Sequence, residues 1–197
     1  MDEKIKGLVV ETIQAHRVML DEMIECGVET IVAAAETIAS VLRDGGTVYL
    51  CGNGGSAADA QHIAGEFVGR FMVERRALPA VALSADTSVI SCIANDYSYD
   101  EVFSRQVEAL VGERDILWAF STSGTSKNVI VAAKVAKEKG AAVLAFTGRR
   151  ASTLEEISDI CFCAEHELTA RSQEIHQLAY HIICDLVEKD VCGAATD

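Results

Sequence analysis

VYLCGNGGSAADAQHIAGEFVGRF, Val48 to Phe71, joins an apolar run to a glycine-rich turn and then to a segment of helical periodicity. Gly52, Gly54 and Gly55 lie within four positions, where a backbone can take positive φ and let a ligand approach closely. Ser56 stands where a cap for the following helix is expected. The amide groups at such a helix start can bind the oxygens of an anion. His62 and Glu66 are one helical turn apart, so their side chains project from one face about 6 Å from each other, within reach of one metal ion or one substrate. The plainer use of that spacing is a solvated pair contributing roughly 0.2–0.5 kcal/mol. Both residues fall within the first three or so turns of the helix, close to where a ligand on the glycine turn would sit.

Working outward, apolar runs of strand length recur at Val48 to Cys51, Ala80 to Leu83, Ile116 to Phe120, Val143 to Phe146 and Ile160 to Ala164, with helical segments between them. Fully apolar strands alternating with helices predict an α/β three-layer sandwich around a five-stranded parallel sheet covered on both faces. The strands then deliver their carboxyl ends to one edge, where ligands bind in open sheets of this kind. Before the first strand, Lys4 to Leu42 repeats its apolar residues at helical spacing and is interrupted by Gly27, which predicts two helices arranged as an N-terminal hairpin. Nearly forty residues of amphipathic helix exceed what one sheet needs, so these helices are expected to pack both on their own domain and against other subunits. A last helix is expected over about Ser172 to Asp190, with Gln173, His176, Gln177 and His181 punctuating its apolar face.

The chain has 197 residues and no Pro/Gly/Ser-rich linker, which predicts a single domain over 1–197, residues 1–44 serving packing and oligomerisation and 45–197 forming the α/β core. A half-apolar composition argues against disorder, and no apolar run approaches the roughly 20 residues of a membrane span. The start, MDEKIKGLVVETI, is acidic and then amphipathic, unlike a secretory signal, so a soluble, cytoplasmic protein is expected. Seven cysteines without a C-x-x-C pair read as buried reduced thiols rather than zinc ligands or disulfides. A net charge of -13 argues against nucleic acid as a partner. A small phosphorylated ligand is compatible with it, because helix N-termini make a pocket locally positive.

STSGTSKN, Ser121 to Asn128, follows a strand and opens a helix. Hydroxyls at Ser121, Thr122, Ser123 and Ser126 around Gly124 suit a phosphate dianion, although the same turn can be a plain helix start. It is not a Walker A loop, since Lys127 follows hydroxyls instead of preceding them. Gly52, Gly54 and Ala57 satisfy the loose dinucleotide pattern G-x-G-x-x-A, but the acid expected at the end of the second strand is replaced by Leu83 and Ser84, with Asp86 late. In the last helix, spacing pairs Gln177 with His181, whereas Gln173 lies eight residues before His181, about 12 Å along the axis. His16 and His166 have no such context and read as surface or core histidines.

With these residues assembled, the chain resembles the sugar isomerase (SIS) fold family over essentially its whole length. The resemblance is carried by CGNGGSAADAQHIAGEFVGRF, by IANDYSYDEVFSRQVEAL (93–110), by FSTSGTSKNVI (120–130) and by SQEIHQLAYHIICDLVE (172–188). It implies an aldose–ketose isomerase that converts sedoheptulose 7-phosphate to D-glycero-D-manno-heptose 7-phosphate through an enediol, within heptose biosynthesis. Alternatives in the same fold are an isomerase for another sugar phosphate and a non-catalytic protein that binds the bacterial replication initiator. By resemblance, Ser121, Thr122, Ser123 and Ser126 hold the phosphate, while Asn53, Gly54, Gly55, Asn95 and Asp96 bind the sugar together with Glu66 and Gln173. One zinc ion per subunit is implied at His62, Glu66, Gln173 and His181, against the pairing that spacing favours. Three arrangements would bring Gln173 to that zinc: a frayed helix start, an inward bend, or ligands from different subunits. The last accords with a homotetramer whose active sites lie at subunit interfaces. Glu66 is the expected base at carbon and His181 the expected acid at oxygen, unless His181 serves only as a ligand. Ser172 replaces the aliphatic residue usual before the Gln-Glu pair, which predicts a looser start to the last helix.

Overall fold

The computed structural model describes residues 2–193. The helical run opens with α1 (Glu3–Glu22), capped by the Asp2 carboxylate, and continues through a π-helical turn (Met23–Gly27) into α2 (Val28–Arg43). Then follow β1 (Val48–Gly52), α3 (Gly55–Val68), β2 (Ala80–Ala82), α4 (Thr87–Asp96), a 3-10 turn (Tyr99–Glu101) and α5 (Ser104–Leu110). The second half comprises β3 (Ile116–Ser121), α6 (Lys127–Glu138), β4 (Ala142–Thr147), α7 (Thr153–Ile157), β5 (Ile160–Cys163) and α8 (Thr169–Cys192).

All strand pairings are parallel, and the order is β2-β1-β3-β4-β5. The strands are apolar on both faces because each face is covered. One face packs against α2, α3 and α8 through Leu50, Trp118, Phe120 and Phe146, the other against α5 and α6 through Leu117, Ala119, Val143 and Ala145. The register sets Gly52 beside Phe120, so the glycine turn and the hydroxyl turn emerge next to each other at one edge.

The expected N-terminal hairpin is corrected. Gly27 does not reverse the chain; residues Met23 to Val28 all keep right-handed helical or near-helical backbone, and a π turn carries α1 on into α2. A Cβ at Gly27 would lie 3.0 Å from the Phe162 ring, so glycine here permits close packing on β5. Ile5, Leu8, Val9 and Ile13 on α1 are each about half exposed, leaving that apolar stripe open in the monomer. The α8 start is not loosened by Ser172, which is fully buried and lies inside a helix that begins at Thr169. The cysteines are all unpaired, yet only Cys51 and Cys184 are buried and Cys26 and Cys92 are exposed, so the expectation of buried thiols holds for a minority.

Candidate functional site

The glycine turn owes its sequence to three different constraints. Gly54 is the N-cap of α3 at φ +57°, a conformation that favours glycine. A Cβ on Gly52 would meet Ser56 at 2.8 Å, and one on Gly55 would meet the Gln173 amide at 2.5 Å. Ser56 therefore does not cap the helix as expected; it sits buried inside its first turn, and no side chain caps α3. The close approach of Gln173 to Gly55 brings the α8 amide to the carboxyl edge of the sheet.

Asn53 is clamped at this turn. Its Nδ2 donates to Asn128 Oδ1 at 2.9 Å, while Asn128 Nδ2 and the Tyr99 hydroxyl each donate to Asn53 Oδ1, both at 2.9 Å. One Asn53 N–H remains to be offered to a ligand oxygen. Neither Asn128 nor Tyr99 was singled out by sequence reasoning, although both lie inside stretches that carry the family resemblance. Asn95 and Asp96 are exposed at the end of α4, with Asn95 Nδ2 donating to Asp96 Oδ1 at 2.8 Å, just before the turn from which Tyr99 reaches Asn53. Asp86, the acid considered for a ribose, caps α4 by accepting from the Ser88 and Val89 amides.

Beside the glycine turn, the hydroxyls of the 121–126 segment converge. Ser121 Oγ donates to Ser126 Oγ at 2.9 Å and lies 3.3 Å from Ser123 Oγ. Ser123 Oγ accepts from the Thr125 amide at 3.2 Å, and Gly124, at φ +65°, turns the chain. Ser126 occupies the N-cap position of α6 but engages Ser121 instead of capping. The Thr122 carbonyl accepts from Gly148 at 3.0 Å, which ties this turn to the end of β4.

His62, Glu66 and His181 come together from α3 and α8, each offering one ligand atom within 4.8 Å of the others. His62 Nε2 lies 2.9 Å from Glu66 Oε1, and the His62 and His181 rings meet edge-on at 4.9 Å. Two imidazole nitrogens and a carboxylate are a donor set suited to zinc. The pKa of His181 is lowered by burial and by the neighbouring His62, against the opposing pull of Glu66. On the other side, the Tyr180 hydroxyl lies 3.0 Å from His62 Nδ1 and 3.5 Å from Asp59 Oδ1. Burial pushes Asp59 up to about 6, against the Tyr180 hydrogen bond and the charge of His62.

Gln173 stands apart from this triad within the chain. It lies five residues into an unbroken α8, eight residues and about 12 Å along the axis before His181. The start there is not frayed, since the helix runs unbroken from Thr169. Gln177, the partner that spacing suggested, is exposed. His16 pairs with Glu174 at 3.2 Å and His166 Nδ1 accepts from the Leu168 amide at 2.9 Å, both local roles. His176 is fully buried beside Phe120, Phe146 and Phe162, with its Nε2 2.9 Å from the Thr147 carbonyl.

Comparison with known proteins shows the family of this chain. The SIS domain family matches residues 13–148. A phosphoheptose isomerase from Roseiflexus sp. (strain RS-1) is 48% identical over 181 residues, covering 92% of each chain. One from Aquifex aeolicus (strain VF5) is 45% identical over 192 residues, covering 98% of each. Among solved structures, phosphoheptose isomerase GmhA from Neisseria gonorrhoeae aligns with a TM-score of 0.88 at 41% identity, covering 94% of this chain and 99% of that one. With its parallel five-stranded sheet and its glycine and hydroxyl turns side by side, the chain belongs to the SIS domain family and, within it, to the phosphoheptose isomerases.

Proposed function

We propose that the protein interconverts sedoheptulose 7-phosphate and D-glycero-D-manno-heptose 7-phosphate, and that the convergence of His62, Glu66 and His181 is the single observation that carries its chemistry. Ser121, Thr122, Ser123 and Ser126 hold the phosphate through their hydroxyls and the uncapped start of α6. Asn53, presented by Asn128 and Tyr99, meets a sugar oxygen, with Gly54 and Gly55 leaving room for the chain and Asn95 and Asp96 flanking it. Glu66 removes the proton from C1 of the ketose and returns it to C2 of the enediol, while His181 exchanges protons with the two oxygens. Running the same steps backwards regenerates the ketose.

His62, Glu66, Gln173 and His181 would hold one zinc ion per subunit. Zinc bound there would polarise the substrate carbonyl. Glu66 keeps a second carboxylate oxygen for its role as base. If His181 is a ligand through one ring nitrogen, the other is the nitrogen left to exchange protons.

Assembly follows from reach. Gly55 and Glu66 are eleven residues apart on α3, about 16 Å along the axis, whereas a seven-carbon sugar with its phosphate spans roughly 10 Å at carbon–carbon bonds of about 1.5 Å. A substrate seated on the hydroxyl turn of one subunit is therefore served by the Glu66 and His181 of another, with Gln173 completing the neighbour's metal site. The open apolar stripe of α1 supplies the contact, in a homotetramer of single-domain chains working in the cytoplasm. No helix among the described residues is long and apolar enough to cross a membrane, which accords with that location.

The test is turnover of sedoheptulose 7-phosphate by protein purified without chelator, with its metal content measured on the same sample. Isomerisation of a hexulose phosphate in preference to the heptulose would overturn the substrate. Mixing Glu66→Gln subunits with subunits altered in the hydroxyl turn should restore part of the activity; two inert variants that stay inert when co-assembled would place the whole site in one chain.

A further inference from the structure

Tyr180 touches both imidazoles of the triad. Its buried ring meets the His62 ring edge-on at 5.6 Å and the His181 ring at 4.8 Å. Its hydroxyl stands between His62 Nδ1, at 3.0 Å, and Asp59 Oδ1, at 3.5 Å. Asp59 Oδ2 is buried and without a partner among the described residues.

His62 thus has a different neighbour at each nitrogen: Glu66 at Nε2 and Tyr180 at Nδ1. A nitrogen can ligate a cation only when it carries no proton, so ligation through Nε2 places the ring proton on Nδ1. That proton needs an acceptor. The Tyr180 oxygen can accept it only while its own hydrogen points elsewhere, and the Asp59 carboxylate is the acceptor on the far side.

We infer that Asp59 and Tyr180 form a hydrogen-bonded relay that holds His62 in its Nδ1-protonated tautomer and aims Nε2 at a divalent cation shared with Glu66 and His181. Both are positioning residues, since neither belongs to the set that binds the cation. The inference rests on the metal site of the preceding section. Partners of this kind fix the orientation and basicity of metal-bound histidines, and their loss weakens metal binding about 10- to 100-fold.

Tyr180→Phe keeps the ring and removes the hydroxyl; Asp59→Ala removes the final acceptor and frees the tyrosine proton to turn toward His62. Zinc affinity of the full-length, chelator-stripped protein would be measured by competition with a chromophoric chelator, with thermal melts checking the fold. Each single variant should bind zinc about 10- to 100-fold more weakly, and the double variant no more weakly than the worse single one, because a relay cut twice is lost once. Independently of any variant, the 15N spectrum of zinc-loaded wild-type protein should show His62 protonated at Nδ1. Wild-type affinity in Tyr180→Phe or multiplying losses in the double variant would each overturn the relay while leaving the metal site standing; a proton on Nε2 would overturn the relay and take that nitrogen out of the ligand set as well. A wild-type protein that takes up no zinc would overturn the metal site and the relay with it. If Tyr180→Phe fails to fold, Asp59→Ala and the spectrum decide.

Discussion

Asn53 and Asn128, 75 residues apart, exchange side-chain hydrogen bonds in both directions at 2.9 Å and so join the glycine turn to the first turn of α6. The amide pair orients Asn53 with one donor left over. Asn128→Ala should release it, raising KM for the sugar phosphate about tenfold, the equivalent of roughly 1.4 kcal/mol, with kcat within a fewfold of wild type. An unchanged KM would show that Asn128 does not set how Asn53 meets the sugar.

Glu66→Gln preserves shape and removes the base. Turnover should fall by about 100-fold or more while the melting temperature moves by only a few degrees. Near-wild-type turnover would take the carbon-proton step away from Glu66.

Ser123→Ala removes one hydroxyl from the 121–126 cluster. Affinity for the phosphorylated sugar should drop about five- to tenfold, as expected for one hydrogen bond to a charged group, measured by titration calorimetry. Unaltered affinity would move the phosphate to another part of the edge.

Glu188 is the residue on which the loop after α3 is hung. Its buried carboxylate accepts from the amides of Phe71, Met72 and Val73 and from Arg75 Nε at 2.8 Å, while Arg75 also donates to the Glu66 and Phe67 carbonyls. Burial raises the pKa of this group, but those amides and Arg75 together outweigh it and leave it lowered. A lowered carboxylate contributes stability that is present above its unfolded value and is lost as pH falls through the folded one. Glu188→Ala strands the Arg75 charge and should cost about 3–5 kcal/mol in denaturant unfolding at pH 7. The difference between variant and wild type should narrow in acid.

His176 titrates in a different window. Burial lowers its pKa to about 4, against a hydrogen bond to the Thr147 carbonyl that raises it. Between its ordinary value near 6.5 and about 4, the unfolded chain binds the proton and the folded one does not. This contribution to stability is present above pH 6.5 and is lost as pH falls toward 4, amounting to roughly 3 kcal/mol. His176→Gln should flatten the wild-type stability profile over that range; an identical slope would show that other groups set it.

The five strands were legible as apolar runs because a sheet covered on both faces leaves no polar side to interrupt them. Their common carboxyl edge followed from parallel order, and with it the adjacency of Gly52–Gly55 and Ser121–Ser126. What could not be read depends on contacts between distant residues. Glu188 meets amides more than 110 residues away, in a segment with no regular pattern. Tyr180 carries no signal of its own in the sequence, and His176 reads as a polar interruption of an apolar helix face. Gly27 carries the usual signature of a helix breaker; only the Phe162 ring beneath it makes it a packing contact inside a continuing helix. Ser56 resembles a cap, but the Gly54 backbone begins the helix two residues too early for it.

The π turn at Met23–Gly27 holds one residue more than an α turn would. At 3.6 residues per turn, that residue rotates everything upstream of it by about 100° around the helix axis. The face that α2 presses onto the sheet and the face that α1 shows to solvent are thereby phased independently, although they belong to one rod. Loss of a single residue from this turn would leave the sheet and its carboxyl edge in place while swinging the stripe of Ile5, Leu8, Val9 and Ile13 about a quarter-turn away. The direction in which the protein presents its apolar stripe is thus encoded in a helical phase, and a one-codon deletion within that turn would reset it.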